Sequence, residues 1–418
     1  MHILFYTHYF PPEVNAPASR TYEHAKYWVK AGHDVTVITN HPNHPHGELF
    51  EGYENKLFSR EIIDGIQVVR LWTFLVPNSG FLRRSLNYVV YALLAFLAGL
   101  RIHHVDIVIG TTPQFFCGIS GLMAARVKKT PFIGEVRDLW PDSIAAVEAC
   151  KSNLIIKILY KMEQIFYLHS DHLVVLTQSF AKHIAALSNT PCTFIPNGVD
   201  WYDWQPMFFQ QNGNGHLPLG NGSFKVGYIG TIGMAHGLDV VLDVAKSTEG
   251  QADIQYYIIG DGAERVKLQE RLEDEAIQNL HMYGLQTKKL IPGILDQLDV
   301  MLVLLRRDDL FKTVIPSKIF EGMVMGKPLI VGVEGETKQI MNDAEAGITI
   351  TPKSREELKS AIMDLYKDPD MREQLGQNGR AYIKRYFLRD QLAHRFLPIF
   401  AELHQNSNGS EAVMVVAE

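Results

Sequence analysis

Cysteine is scarce in this chain of 418 residues: Cys117, Cys150 and Cys192 lie far apart. Such spacing argues against a disulfide framework and offers no thiolate metal motif, which fits a reducing compartment. Basic excess is lacking too. Lys and Arg number 40 against 46 Asp and Glu, a net charge of −6, so nucleic acid is not expected as a partner. A membrane-spanning helix needs about 20 apolar residues. The nearest approach is the 16 uncharged residues between Arg84 and Arg101, which include the polar Asn87. The N-terminal Met1-His2-Ile3-Leu4-Phe5-Tyr6 runs straight into a strand with no basic-then-apolar leader pattern, so the expected location is the cytoplasm.

What is present is a globular composition, 46% hydrophobic and 21% charged, at a length that suggests two or three domains. Residues 1–200 hold 17 Lys and Arg against 16 Asp and Glu, with 12 of the 17 histidines, so the first half gains positive charge as pH falls. Apolar runs at 3–6, 34–39, 66–71, 106–110, 132–136 and 173–176 alternate with helical patterns, among them 18–30 and 154–169. Runs of this kind mark buried parallel strands, and the alternation predicts a doubly wound α/β sheet. Pro196-Asn197-Gly198-Val199-Asp200 closes this half with a turn, and a polar, glycine-rich stretch follows over 211–223. The pattern then restarts with runs at 225–230, 254–259, 299–305 and 329–333.

The expected organisation is an N-terminal Rossmann-like domain over 1–204, a linker over 205–223 and a second Rossmann-like domain over 224–385. A C-terminal helix and tail over 386–418 should return toward the first domain. Helices at about 355–367, 370–385 and 389–405 should pack as a cap. The tail from Asn406 reads as disordered, although Ala412-Val413-Met414-Val415-Val416 is apolar. Two Rossmann-like domains in tandem imply a deep cleft between strand C-terminal ends, where such folds bind ligands.

One segment carries the most chemical information. In Val314-Ile315-Pro316-Ser317-Lys318-Ile319-Phe320-Glu321, a proline and a serine open a short amphipathic helix that Gly326-Lys327-Pro328 ends. Amides at a helix start lack intrahelical partners and, with the helix dipole, suit a phosphate. Lys318 adds a point charge, and Glu321, one turn on, is placed to accept hydrogen bonds from ribose hydroxyls. The plain alternative is an ordinary capped helix. Two glycine-rich turns follow strands, Gly230-Thr231-Ile232-Gly233 and Gly260-Asp261-Gly262, and glycine lets backbone come close to a ligand. Neither fits the Gly-x-Gly-x-x-Gly dinucleotide fingerprint. With the Pro-Ser-Lys-x-x-Glu helix they converge on one nucleoside diphosphate.

Further motifs complete a recognisable order. They are Tyr9-Phe10-Pro11-Pro12-Glu13, Ala16-Pro17-Ala18-Ser19-Arg20-Thr21-Tyr22-Glu23, Gly32-His33-Asp34-Val35-Thr36-Val37, Pro42-Asn43-His44-Pro45 and Glu135-Val136-Arg137-Asp138-Leu139-Trp140-Pro141-Asp142. With Pro196–Asp200 and Pro316–Pro328, this order resembles glycosyltransferase family 4, of the GT-B fold. The wording is closest to bacterial transferases of the N-acetyl-L-fucosamine type, which act in O-antigen, capsule and lipopolysaccharide assembly. The resemblance implies a retaining transferase that uses a sugar nucleotide with no metal or other cofactor. It implies that Glu321 binds the ribose and that the backbone at Leu285 reads the base. Asn15 and Ala16 would approach the donor phosphates, with Gly230, Gly233, Gly260, Gly262, Ile315, Ser317 and Lys318. Arg137 and Asp138 fall where many members carry His-Asp near the transferred sugar, so Arg137, Asp138 and Lys318 are the catalytic candidates.

Three departures from the family pattern stand out. The first glutamate of its Glu-x7-Glu pair is Thr313 here. The Arg and Lys that many relatives carry after the Gly230 strand are replaced by Thr231–His236, which leaves Lys318, with Arg306 or Arg307, to offset phosphate charge. The catalytic-loop histidine is Arg137. Simpler roles compete: Asp138 as a helix N-cap before Leu139-Trp140-Pro141, and Glu135 as a strand-end carboxylate paired with Arg137.

The expected reaction moves an N-acetyl deoxyhexosamine from a UDP-sugar to a polyprenyl-diphosphate-linked sugar at the inner face of the cell membrane. The membrane expectation rests on residues 85–100, flanked by Arg83, Arg84 and Arg101, preceded by Phe74, Leu75, Val76 and Phe81, and presenting Leu93, Leu94 and Phe96. A core helix is the alternative. His8 is expected either to meet the acceptor or to be packed. His41, His44 and His46 read as a cleft-rim loop and not a metal site. Two rivals stand beside the transferase: a UDP-N-acetylhexosamine 2-epimerase of the same fold, and a non-catalytic sugar-nucleotide-binding partner.

Overall fold

The computed structural model describes residues 1–44, 47–75, 81–112, 115–142, 153–204, 217, 219–220, 223–251 and 253–415, without the side chains of 81–86, 153 and 408–415. Most of the expected linker, His46, Val76 and Cys150 lie outside the described residues. The chain forms two units, Met1–Asn197 with Arg389–Glu418, and Gly198–Leu388.

The first unit is built on eight strands: β1 (His2–Tyr6), β2 (Asp34–Asn40), β3 (Phe58–Ile63), β4 (Ile66–Leu71), β5 (Ile107–Thr111), β6 (Phe132–Val136), β7 (His172–Val175) and β8 (Cys192–Phe194). Their order is β3-β4-β2-β1-β5-β6-β7-β8, so the chain reverses direction across the sheet between β1 and β5. Ligands bind beyond the strand C-termini at such a switch point. Every described pairing is parallel except the β3–β4 hairpin. That hairpin turns at Asp64-Gly65, both with positive φ, as a tight two-residue turn requires. The Ala16–Lys30 helix starts two residues before its expected bound, because the Asn15 side chain caps it by accepting from Ala18 N at 2.9 Å. Its inner face, with Trp28 buried, packs on Phe396 and Phe400. The Phe81–Leu100 and Phe115–Lys128 helices lie together on the other face, where Tyr6 abuts Gly99 and Gly121.

The second unit has six parallel strands, β9 (Phe224–Ile229), β10 (Ile254–Ile259), β11 (Leu280–Tyr283), β12 (Val300–Leu304), β13 (Leu329–Gly332) and β14 (Gly347–Thr349), ordered β11-β10-β9-β12-β13-β14. Apolar residues alternate to both faces of the sheet, and each face carries its own buried cluster. Helices at Arg355–Lys367 and Pro369–Tyr386 belong to this unit. The helix expected over 389–405 is instead broken into Arg389–His394 and Leu397–Val415, both in the first unit. The tail from Asn406 is therefore not disordered from that point, since backbone helix continues to Val415.

Candidate active site

In the second unit the glycine turns lie against each other. A Cβ on Gly260 would stand 1.9 Å from the Gly230 carbonyl oxygen, and one on Gly262 would stand 2.4 Å from that of Ile232. Ile232 N donates to the Asp261 carbonyl at 2.8 Å, and Glu264 N donates to that of Ile232 at 3.0 Å. The immediate need for these glycines is thus the contact between two turns, with φ values of +134°, +151° and +154° at 230, 260 and 262. Gly230 has a second role. A Cβ there would meet Lys318 Cε at 2.4 Å and Nζ at 2.6 Å, so its absence is the space the ammonium occupies.

Lys318 Nζ donates to the Tyr228 hydroxyl and stands 3.8 Å from the centroid of that ring. Tyr228 in turn donates to the Thr231 carbonyl at 2.5 Å. Burial pulls the Lys318 pKa down to about 7, against the opposing effect of Glu321. His236, in the loop after β9, is lowered to about 4 by burial and then by the charge of Lys318. The seven-residue helix begins at Lys318, not at Pro316. Ser317 is its N-cap without a side-chain cap bond, and Ile315 lies in the segment before it. Amides 315–317 therefore belong to the approach to the helix. Glu321 sits one turn in, and Leu285 is half exposed just beyond β11. Gly233 accepts from His236 N at 3.0 Å. Thr313, which stands where the family pattern has its first glutamate, donates its hydroxyl to Leu310 O at 2.7 Å inside its own turn. Arg306 borders a pocket of about 460 Å³ beside Gly233 and Lys353.

In the first unit, charge is concentrated beyond the C-terminal ends of β6 and β8. Arg20 is fully buried and donates to Glu135 at 2.9 Å, to the carbonyls of Ile195 (2.9 Å) and Pro196 (2.7 Å), and to Asn197 Oδ1 at 3.3 Å. Arg389 pairs with Glu23 at 2.7 Å and also reaches Asn197 Oδ1. Arg137 stands 4.0 Å from Glu135, donates to Pro17 O at 3.3 Å, and its backbone N–H donates to Thr112. Glu135 is thus held chiefly by Arg20, and the expected pairing with Arg137 is present as its second, longer ion pair. Burial pushes Glu135 up, but Arg20 and Arg137 outweigh it and hold its carboxyl below the ordinary value. Burial lowers Arg137 to about 10, which leaves it charged at neutral pH. Asp138 lies in a bend with no helix starting at Leu139, so the N-cap role does not apply. Asn15 and Ala16 form the start of the first helix on the same unit.

The structure brings Lys318, Gly230 and Glu321 together in one unit, and Arg137 and Asn15–Ala16 in the other. Tyr228, Arg20 and Thr112 were not anticipated as parts of either. A tyrosine in an otherwise aliphatic buried strand, and an arginine inside an apolar helix face, were the available signals. His8 is buried, 3.1 Å from Asn40 Nδ2, with ring contacts to Tyr9, Tyr88 and Tyr91. It is therefore a packed histidine and not an open acceptor contact. On the Phe81–Leu100 helix the exposed apolar stripe is Val89, Leu93 and Leu97, while Leu94 and Phe96 are half-buried. Arg101 is exposed, and the side chains of Phe81, Arg83 and Arg84 lie outside the described residues. Among the described residues no helix is long and apolar enough to cross a membrane.

Comparison with known proteins now bears on this geometry. Residues 18–201 match the family described as Glycosyltransferase Family 4, and residues 215–382 match that described as Glycosyl transferases group 1. The chain belongs to glycosyltransferase family 4. It is an enzyme of the hexosyltransferase type, with the GT-B fold, in glycan biosynthesis. The Escherichia coli (strain K12) protein named as a colanic acid biosynthesis glycosyl transferase, WcaI, is 23% identical over 351 residues, 81% of this chain and 84% of its own. Sucrose-phosphate synthase from Thermosynechococcus elongatus shares the fold with a TM-score of 0.74 at 15% identity, over 96% of this chain and 98% of its own. Anabaena HepE, solved in complex with UDP-glucose, does so with a TM-score of 0.69 at 14% identity, over 96% and 100%.

Proposed function

We propose that this family 4 glycosyltransferase is a retaining enzyme that takes a UDP-sugar donor and glycosylates a polyprenyl-diphosphate-linked sugar at the inner membrane face. The supporting observation is Lys318. Its desolvated ammonium occupies the space left by Gly230 at the C-terminal edge of the second sheet, with Glu321 one helical turn away. A nucleoside diphosphate is the ligand that needs a cation and a ribose acceptor at that separation, and the Leu285 backbone is the candidate reader of the base.

Breaking the bond between the anomeric carbon and the phosphate oxygen leaves charge on the β-phosphate. Lys318 stabilises that charge, and more strongly in a site that excludes water. The acceptor hydroxyl attacks the same face, and its proton passes to the departing phosphate oxygen. Arg137, charged and held by Glu135, supplies positive potential in the acceptor unit, with Asp138 beside it. The reading requires no metal. An N-acetyl deoxyhexosamine such as N-acetyl-L-fucosamine is the proposed sugar, for O-antigen or capsule synthesis. The motif resemblance and the similarity to a colanic acid transferase support the pathway class.

The exposed Val89, Leu93 and Leu97 stripe supports peripheral attachment to the membrane. Neither the epimerase nor the non-catalytic alternative gains an observation. The test is transfer from labelled UDP-sugars to polyprenyl-diphosphate-sugar in detergent, with the product's anomeric configuration read by NMR. Retention supports the reading. Inversion, or donor turnover without acceptor, refutes it.

A further inference from the structure

The first unit holds a pocket of its own, at the opposite ends of the strands from Glu135 and Arg137. It encloses about 590 Å³ between His2 at the start of β1, Arg60 and Ile62 on β3, and Arg101 and His103 after the Phe81–Leu100 helix. Alternation fixes which face it opens on. Arg60 pairs with Val69 and Ile62 with Gln67 across the hairpin, so Arg60 and Ile62 share one face. His2 lies on the same side of β1 as Tyr6, which packs on Gly99 of the helix. The pocket therefore opens beside the C-terminal end of that helix.

Its charge is one-sided. The carboxylate at its wall, Glu61, is already held by the buried Arg70. Among the described residues neither Arg60 nor Arg101 has a carboxylate within ion-pair reach. Arg101 donates to Leu97 O at 3.1 Å, which holds its guanidinium at the helix end. The apolar surroundings are equally directional. Val89, Leu93 and Leu97 recur every four residues, and the next residue in that series is Arg101. Leu93 is 61% exposed and Ile62 is 75% exposed. An apolar stripe thus ends at a cationic pocket whose rim is apolar again.

We propose that this pocket binds the phosphate headgroup of an anionic membrane lipid, with the acyl chains along the Val89–Leu97 stripe. Two guanidinium groups with no carboxylate partner among the described residues suit a phosphate, and the stripe suits the chains attached to it. The inference rests on the peripheral-membrane reading and gives it a specific lipid contact.

The test is flotation of the full chain with phosphatidylcholine vesicles, with and without phosphatidylglycerol. Wild type is compared with Arg60→Ala/Arg101→Ala, the matching Lys/Lys pair, and Leu93→Ser. Each arginine near an anionic surface contributes about five-fold, so the double alanine variant should lose about 30-fold in partitioning to phosphatidylglycerol vesicles. The lysine pair should recover part of that, and Leu93→Ser should weaken binding to both vesicle types. Both arginines are exposed, and an unchanged melting temperature checks the fold. If wild type floats and the double alanine variant floats equally, the pocket is overturned and membrane attachment survives. If wild type floats with neither vesicle, the membrane reading falls and the pocket assignment with it. Release of wild type by inorganic phosphate at matched ionic strength would assign the pocket to a free anion and overturn the lipid assignment.

Discussion

Lys318→Met keeps an unbranched side chain one atom shorter and removes the charge, and its effect should depend on pH in a defined direction. Burial lowers the folded-state pKa of Lys318 from 10.5 to about 7. In the ligand-free protein this favours the neutral amine, so the stability contribution improves as pH rises from about 7 toward 10.5 and is least below 7. A diphosphate beside the ammonium reverses the preference, because it favours the charged form. Donor binding then takes up a proton, and affinity falls as pH rises through 7.

With a pKa near 7 the ammonium is about 90% protonated at pH 6 and about 10% at pH 8, so wild-type affinity should drop roughly tenfold over that range. A UDP-sugar is the right probe, because the terminal phosphate of UDP itself titrates near pH 6. Hydrogen bonds to charged groups contribute ~1.5–3 kcal/mol. Lys318→Met should therefore bind about 10- to 100-fold more weakly at pH 6, with an almost flat profile. Isothermal titration calorimetry at pH 6, 7 and 8, in buffers of different ionisation heat, reads both the affinity and the proton uptake. A wild-type affinity independent of pH, or the same slope in Lys318→Met, would refute the contact.

Glu321→Ala should weaken UDP by ~1.5–3 kcal/mol through loss of a charged acceptor, and unchanged affinity in calorimetry would remove Glu321 from the site. Arg20→Met leaves Glu135 buried without its main partner and should destabilise the first unit by ~3–5 kcal/mol in urea, with a cost under 1 kcal/mol contradicting the packing described. Gly260→Ala should be severely destabilising, since its Cβ would lie 1.9 Å from Gly230 O, whereas Gly32→Ala, at φ +86° with open space around it, should cost only ~1 kcal/mol or somewhat more. Similar melting temperatures for the two variants would sink the account of the paired turns.

Much of the fold was legible because buried parallel strands write themselves as apolar runs. Ile66–Leu71, Phe132–Val136 and Ile254–Ile259 were bounded to the residue. The strands that were missed are short or at a sheet edge: β3, β8, β11 and β14. For β3 a signal was present, since Asp64-Gly65 between apolar residues is a tight hairpin turn. The break between His394 and Leu397 had its signal in Pro398, which lacks the N–H that would bond the His394 carbonyl and whose ring crowds it, and the periodicity reading ran through it. Site residues were legible where a local motif placed them, as with Lys318 and Glu321. They were hidden where the partner is distant in sequence. Tyr228 lies 90 residues from Lys318, and Arg20 lies 115 from Glu135. The glycines illustrate the same limit. Their spacing suggested a ligand approach, while the atoms nearest to Gly260 belong to another glycine turn.

The central claim is that the second unit holds a uridine diphosphate through Lys318 and Glu321. Thermal unfolding with UDP, GDP and UDP-N-acetylfucosamine side by side tests it most directly, because a ligand that binds only the folded state raises the melting temperature. The account predicts a rise with both uridine compounds, little or none with GDP, and loss of the rise in Lys318→Met and Glu321→Ala. An equal response to GDP, or an undiminished UDP response in both variants, would contradict it.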